Sequence, residues 1–189
     1  MSSIRVYSEE QRRLLMHVAY QSIEYGLTYG EPLPVNPESF DISLRMQRAC
    51  FVTLEIDHTL RGCIGSLAAT QALIVGVAHN AYAAAFNDPR FPPLGPIEHN
   101  RISLHISVLS SPQPLPCASE RELLAKLHPG ADGLILEEGH RRATFLPAVW
   151  ESLPDPEDFL KHLKSKAGLP ADFWSDSLRF YRYHTELID

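Results

Sequence analysis

The stretch from Phe51 to Ile64 constrains the fold of this chain more than any other part. Val52, Leu54 and Ile56 alternate with Phe51, Thr53 and Glu55, the period of two that belongs to a half-buried strand. Asp57-His58 then offers a tight turn, and Leu60 to Ile64 follows as a second short run. Two runs joined so closely must lie antiparallel, because a parallel neighbour needs a long crossover. Within the second run stands Arg61-Gly62-Cys63-Ile64-Gly65. Alternation puts Arg61 and Cys63 on one face and Leu60, Gly62 and Ile64 on the other. With the aliphatic set toward the core, the thiol and the guanidinium face outward, into a cleft.

The rest of the chain mixes helices with further strands. Ser8 and Gln11 make a capping box for a first helix bearing Leu14, Leu15, Val18 and Ile23, with Gly26 as its stop. Residues 70–86 read as a helix with an unusual run of alanines, halted at Asn87-Asp88-Pro89. Four prolines and one glycine between Asp88 and Pro96 make a stiff loop. Residues 101–109 form the cleanest strand, with Ile102, Leu104, Ile106 and Val108 opposite Ser103, His105 and Ser107. Ser119 and Glu122 cap a short helix, and 133–138 and 141–145 read as a hairpin. Asp155 and Pro156 open a last helix that Gly168 closes, and 178–183 reads as a final strand. Helices mixed with hairpins give the α+β class, with a mainly antiparallel sheet flanked by helices.

Composition narrows the function classes. The 189 residues suit one domain, or one body with a small lobe, spanning 1–189. Apolar residues make up 44% and charged residues 21%, which fits a globular protein. A net charge of −6 with no basic block argues against a nucleic-acid phosphate track. No apolar stretch is long enough to span a bilayer, and Met1-Ser2-Ser3-Ile4-Arg5 lacks the apolar core of a signal peptide. The expected location is cytoplasmic, with no membrane partner. Three cysteines, Cys50, Cys63 and Cys117, form no C-x-x-C pair, so neither a disulfide framework nor a metal site is expected. No cofactor motif is legible.

Six blocks taken together resemble the AMMECR-one domain family, whose bacterial members are called AmmeMemoRadiSam system protein A. They are Leu60-Arg61-Gly62-Cys63-Ile64-Gly65-Ser66, residues 85–94, Ile106-Ser107-Val108-Leu109-Ser110, Asp132-Gly133-Leu134-Ile135, Thr144-Phe145-Leu146-Pro147, and Phe159-Leu160 through Lys166-Ala167-Gly168-Leu169. The resemblance implies a larger and a smaller sub-domain, and partnership with a Memo-like protein and a radical S-adenosylmethionine (SAM) protein. It implies no established reaction. Around Lys164 many relatives carry a cysteine that this chain lacks, which argues against a dithiol mechanism.

The candidate site follows from these residues. Cys63 reads either as a small core filler or as a thiol that contacts a ligand or acts as a nucleophile. Its expected catalytic partner is His105, on the polar face of its strand. Arg61, Gly62, Ile64, Gly65, Asp88 and Arg90 are the expected ligand-binding set. The glycines allow close approach of a ligand or partner, and the arginine fork suits a carboxylate or phosphate. For Asp88 and Arg90 the plainer reading is a lock on the proline loop. Two functions stay open: a component binding a small ligand or partner around this motif, and an enzyme using Cys63 in group transfer or covalent capture of a small anionic substrate.

Overall fold

The hairpin forms as the alternation requires, and the other elements assemble around it. The computed structural model describes residues 6–189; Met1-Ser2-Ser3-Ile4-Arg5, read above for a leader, lies outside the described residues. In chain order the first elements are α1 (Glu9–Tyr29), α2 (Ile42–Arg45), β1 (Cys50–Ile56), β2 (Thr59–Ser66), α3 (Leu73–Phe86), α4 (Pro96–His99) and β3 (Ile102–Leu109). Then come β4 (Gln113–Pro114), α5 (Glu120–Lys126), β5 (Gly133–Glu138), β6 (Arg141–Phe145), α6 (Pro156–Lys166), β7 (Arg179–Tyr183) and β8 (Thr185–Ile188). The strands form two four-stranded antiparallel sheets, ordered β2-β1-β3-β8 and β4-β7-β5-β6. The fold is therefore α+β. The chain divides into two compact units, Met1–Leu109 with Glu186–Asp189, and Ser110–Thr185. Among the described residues no helix is long and apolar enough to cross a membrane.

In the first unit Val52, Leu54, Leu104 and Ile106 turn to a core shared with Leu15, Ile23, Ile74, Val77 and Ala81 from α1 and α3. The alanines of α3 are small so that the helix can lie close to its neighbours. A Cβ on Gly26 would come within 2.5 Å of the Phe86 ring of α3. That contact corrects the reading of Gly26 as the end of α1. The helix continues to Tyr29, and Gly30, with φ of 73°, is the left-handed cap. Asp57 and His58, with φ of 51° and 62°, make the two-residue turn of the hairpin.

The second unit packs α6 and its neighbours on the other sheet. The Trp150 and Phe159 rings stack with centroids 3.7 Å apart, and Trp150 Nε1 donates to the Asp132 carbonyl at 2.7 Å. Lys164 is fully buried. Its Nζ donates to Glu120 Oε2 at 2.6 Å and to the Ala171 carbonyl at 3.1 Å.

Strands β4 and β8 carry too little alternation to be seen in the sequence. β8 is held by the edge of β3 and by Glu186, which is buried and accepts from Arg12 Nη1 at 3.0 Å and the Val6 amide at 2.7 Å. Pairing supplied by a neighbour, rather than local propensity, makes these strands.

Candidate functional site

Cys63 sits on β2, an outer strand of its sheet, half-buried and opposite Thr53 of β1. Two residues further back the ladder slips: Gly62 faces Leu54 but Leu60 faces Glu55, so Arg61 is an extra residue in a β-bulge. A bulge bends its strand and re-aims the side chain it carries. This breaks the alternation that placed Arg61 beside Cys63 on an open face. Arg61 is instead buried, with Nε donating to Glu98 Oε1 at 2.8 Å and Nη2 to Glu98 Oε2 at 3.1 Å and the Pro92 carbonyl at 2.9 Å. Among the described residues Nη1 has no partner. The fork is thus engaged by a carboxylate of the protein itself. The Arg61 guanidinium and a Gly95 amide bond hold the Glu98 carboxyl down at about 2.

The proline loop closes on the strand edge through two charged residues. Asp88 is buried; its Oδ2 accepts from the Cys63 amide at 2.9 Å. Arg90 Nη2 donates to the Cys63 carbonyl at 3.3 Å and to Asp88 Oδ2 at 2.7 Å. Both main-chain groups of Cys63 therefore point away from β1, toward the loop. The pair Thr53–Cys63 is then of the non-hydrogen-bonded kind, in which side chains approach most closely. Accordingly Thr53 Oγ1 donates to Cys63 Sγ at 3.3 Å. Asp88 and Arg90 act as a surrogate strand, satisfying an edge that would otherwise be open for pairing. Hydrogen bonds from Arg90, then from the Cys63 amide, hold the Asp88 carboxyl well below the ordinary carboxylate range against the opposing cost of burial. The loop is bonded directly to the hairpin at this point instead of standing across a cleft from it. Phe91 lies between the two cations, its ring 5.7 Å from the Arg61 guanidinium and 5.5 Å from that of Arg90.

The glycines beside the cysteine have packing reasons. A Cβ on Gly62 would stand 2.1 Å from the Ala84 carbonyl oxygen of α3, and one on Gly65 would stand 2.3 Å from the Phe51 ring. The space a Cβ would need at each is filled by protein atoms. Ile64 pairs with Val52 and packs against the core. His105 also faces Thr53, but from β3. Its backbone therefore lies two strand spacings, about 10 Å, from that of Cys63, and among the described residues no hydrogen bond joins its ring to the thiol. Of the residues read from the sequence, the fold brings Asp88 and Arg90 onto Cys63, turns Arg61 inward, and sets His105 apart. Thr53 and Glu98 were missed. The alternation of β1 carried a signal for Thr53. Glu98, three residues after Gly95, is legible as an N-terminal helix carboxylate but not as the partner of Arg61.

The site thus offers a half-buried thiol on a strand pinned at both main-chain groups, a hydroxyl donating to the sulfur, and a half-exposed cation, Arg90. Cys50, by contrast, is buried, and burial pushes its thiol up to about 11. Among the described residues no three His, Cys, Asp or Glu side chains are placed to hold a metal ion.

The AMMECR1 family model matches residues 16–188. The chain belongs to the AMMECR1 family. An AMMECR1-type protein of Methanothermobacter thermautotrophicus is 37% identical over 187 residues, covering 96% of this chain and 95% of its own. One of Thermotoga maritima is 36% identical over 170 residues, covering 89% and 92%. The crystal structure of an uncharacterized protein from Pyrococcus horikoshii superposes with a TM-score of 0.81 at 31% identity, covering 95% of this chain and 91% of that one. The solved structure shares the fold, and the names of these relatives state no reaction.

Proposed function

We propose that this AMMECR1 chain is a cytosolic component of a system with a Memo-like protein and a radical SAM protein, and that it binds a small ligand or partner at the surface around Cys63. The observation that carries the reading is the clamp on Cys63. Asp88 and Arg90 take both main-chain groups of the residue, so the sulfur is presented from a rigid element. Among the described residues no histidine or carboxylate side chain is bonded to that sulfur, and a nucleophilic enzyme needs such a base. The arrangement favours recognition over self-sufficient catalysis. Arg90, half-exposed beside the thiol, replaces Arg61 as the group that would meet an anion.

A second reading, Cys63 as the nucleophile of a group transfer on a small anionic substrate, draws on the hydroxyl of Thr53 at the sulfur. One set of experiments separates the two. Thiol labelling of the native protein is expected to modify Cys63 well before Cys50; equal rates would remove the presented thiol from either account. A metabolite-binding screen on wild type and Cys63→Ala is then expected to return a ligand lost in the variant. Turnover of that ligand by the isolated chain would overturn the recognition reading in favour of the enzyme.

A further inference from the structure

A second cluster of chemistry-bearing side chains lies wholly within the unit of residues 110–185. Asp132 is fully buried at the foot of a tight turn. Its Oδ2 accepts from the His128 amide at 2.8 Å and lies 3.1 Å from His128 Nδ1. Its Oδ1 is 3.6 Å from His184 Nδ1 and has no hydrogen-bond partner among the described residues. Arg182 Nη1 is 3.6 Å from Asp132 Oδ2, 3.2 Å from His128 Nδ1 and 3.3 Å from the Lys126 carbonyl. One buried carboxylate therefore gathers two imidazoles and a guanidinium. Capping the 128–132 turn accounts for one of its oxygens and leaves the other unexplained.

The chemistry of the outer rim follows from these contacts. His184 Nδ1 lies 3.2 Å from the Ala131 carbonyl, which can only accept, so Nδ1 carries the hydrogen and Nε2 of the neutral ring is left as an acceptor. The His184 main chain is itself held by Ser110, whose Oγ accepts from its amide at 3.0 Å. Arg182 makes no hydrogen bond through Nε or Nη2 among the described residues, so one side of its fork remains available. The side chains of His128, His184 and Arg182 are 67%, 46% and 31% exposed, while Asp132 beneath them is closed to solvent. A buried carboxylate behind Nδ1 orients an imidazole.

The geometry points to a second ligand site here, for a small oxyanion that carries a transferable proton, such as a hydrogen phosphate or a phosphomonoester. Arg182 takes the anionic oxygen through its free edge. The imidazoles of His128 and His184 meet the protonated oxygen, with Asp132 fixing their orientation. The site is separate from the Cys63 surface and does not depend on the function proposed for it.

Histidine-labelled full-length protein, titrated with inorganic phosphate at constant ionic strength, tests the assignment by NMR. His128 and His184 are expected to move together along one saturating curve, while His58 and His140, in exposed turns, stay in place. R182Q is expected to weaken the phosphate affinity at least tenfold, with the rest of the spectrum unchanged. Where R182Q fails to fold, H184N carries the same test and the same expected loss. The site is overturned if the four histidines shift alike, if none saturates, or if the folded variant binds phosphate as the wild type does.

Discussion

At Gly62 one methyl group would collide with main chain. The Ala84 carbonyl that a Cβ would strike belongs to the backbone of α3, so the strain cannot be relieved by a rotamer change. Gly62→Ala is expected to cost about 3 kcal/mol, in the upper range for overpacking. Gly130→Ala is a useful comparison: its φ is +79° and open space surrounds it, so the cost is the left-handed strain alone, about 1 kcal/mol. Urea unfolding of both variants checks the order, and equal losses would show that the approach of α3 to β2 is not the constraint. The glycine was conspicuous in the sequence, but its reason was not. A glycine that admits a ligand and one that admits a helix look alike until the neighbouring element is in place.

At the level of elements, the hairpin, the proline loop and α4 are joined by charge. Glu98 on α4 grips the bulged Arg61 of β2, and its carboxyl sits at about 2 in place of its ordinary 4.5. A lowered carboxyl in the folded state contributes stability that is complete above the unfolded value and is lost as pH falls toward the folded one. That window runs from 4.5 down to about 2. The shift would correspond to about 3 kcal/mol by linkage. Glu98 is about a third exposed, so solvent screening reduces the expected contribution to about 1–2 kcal/mol. Stability of Glu98→Gln measured against pH is expected to fall less steeply than wild type across this window and to lie below it near neutrality. Parallel curves would remove the ion pair from the account. Asp88 titrates in the same direction, so the comparison is best read as a difference between the two proteins. The sequence announced Arg61, Asp88 and Arg90 as a set. It could not announce the bulge, because a single inserted residue leaves the apolar alternation of Leu60, Gly62 and Ile64 looking regular while the partner strand reads the slip.

For the whole molecule, two separate hydrophobic clusters serve the two units. Phe159 is fully buried against Trp150 and Phe145, and Phe159→Ala is expected to cost about 4 kcal/mol. Leu54, equally buried in the other cluster, is expected to cost about 3 kcal/mol as Leu54→Ala. Amide hydrogen exchange is the informative readout. Phe159→Ala is expected to lower protection first in residues 110–185, and Leu54→Ala first in the unit that contains α1 and α3. Uniform loss of protection in both variants would show that the two clusters unfold as one.

From the sequence alone follow the α+β class, six of the eight strands among the described residues, the N-terminal caps of α1, α5 and α6, and the family. Each of these depends on residues near one another in the chain: a period of two, a capping box, a turn, a run of motif residues. The tertiary structure decided the rest. It turned Arg61 inward, laid Asp88 and Arg90 on the edge of β2, filled the space at Gly62 and Gly65 with protein, and put an intervening strand between His105 and Cys63. It also gathered His128, Asp132, Arg182 and His184, which are spread over more than fifty residues. Such groupings depend on strand order, register and helix approach, and these are settled by packing between segments remote in the chain.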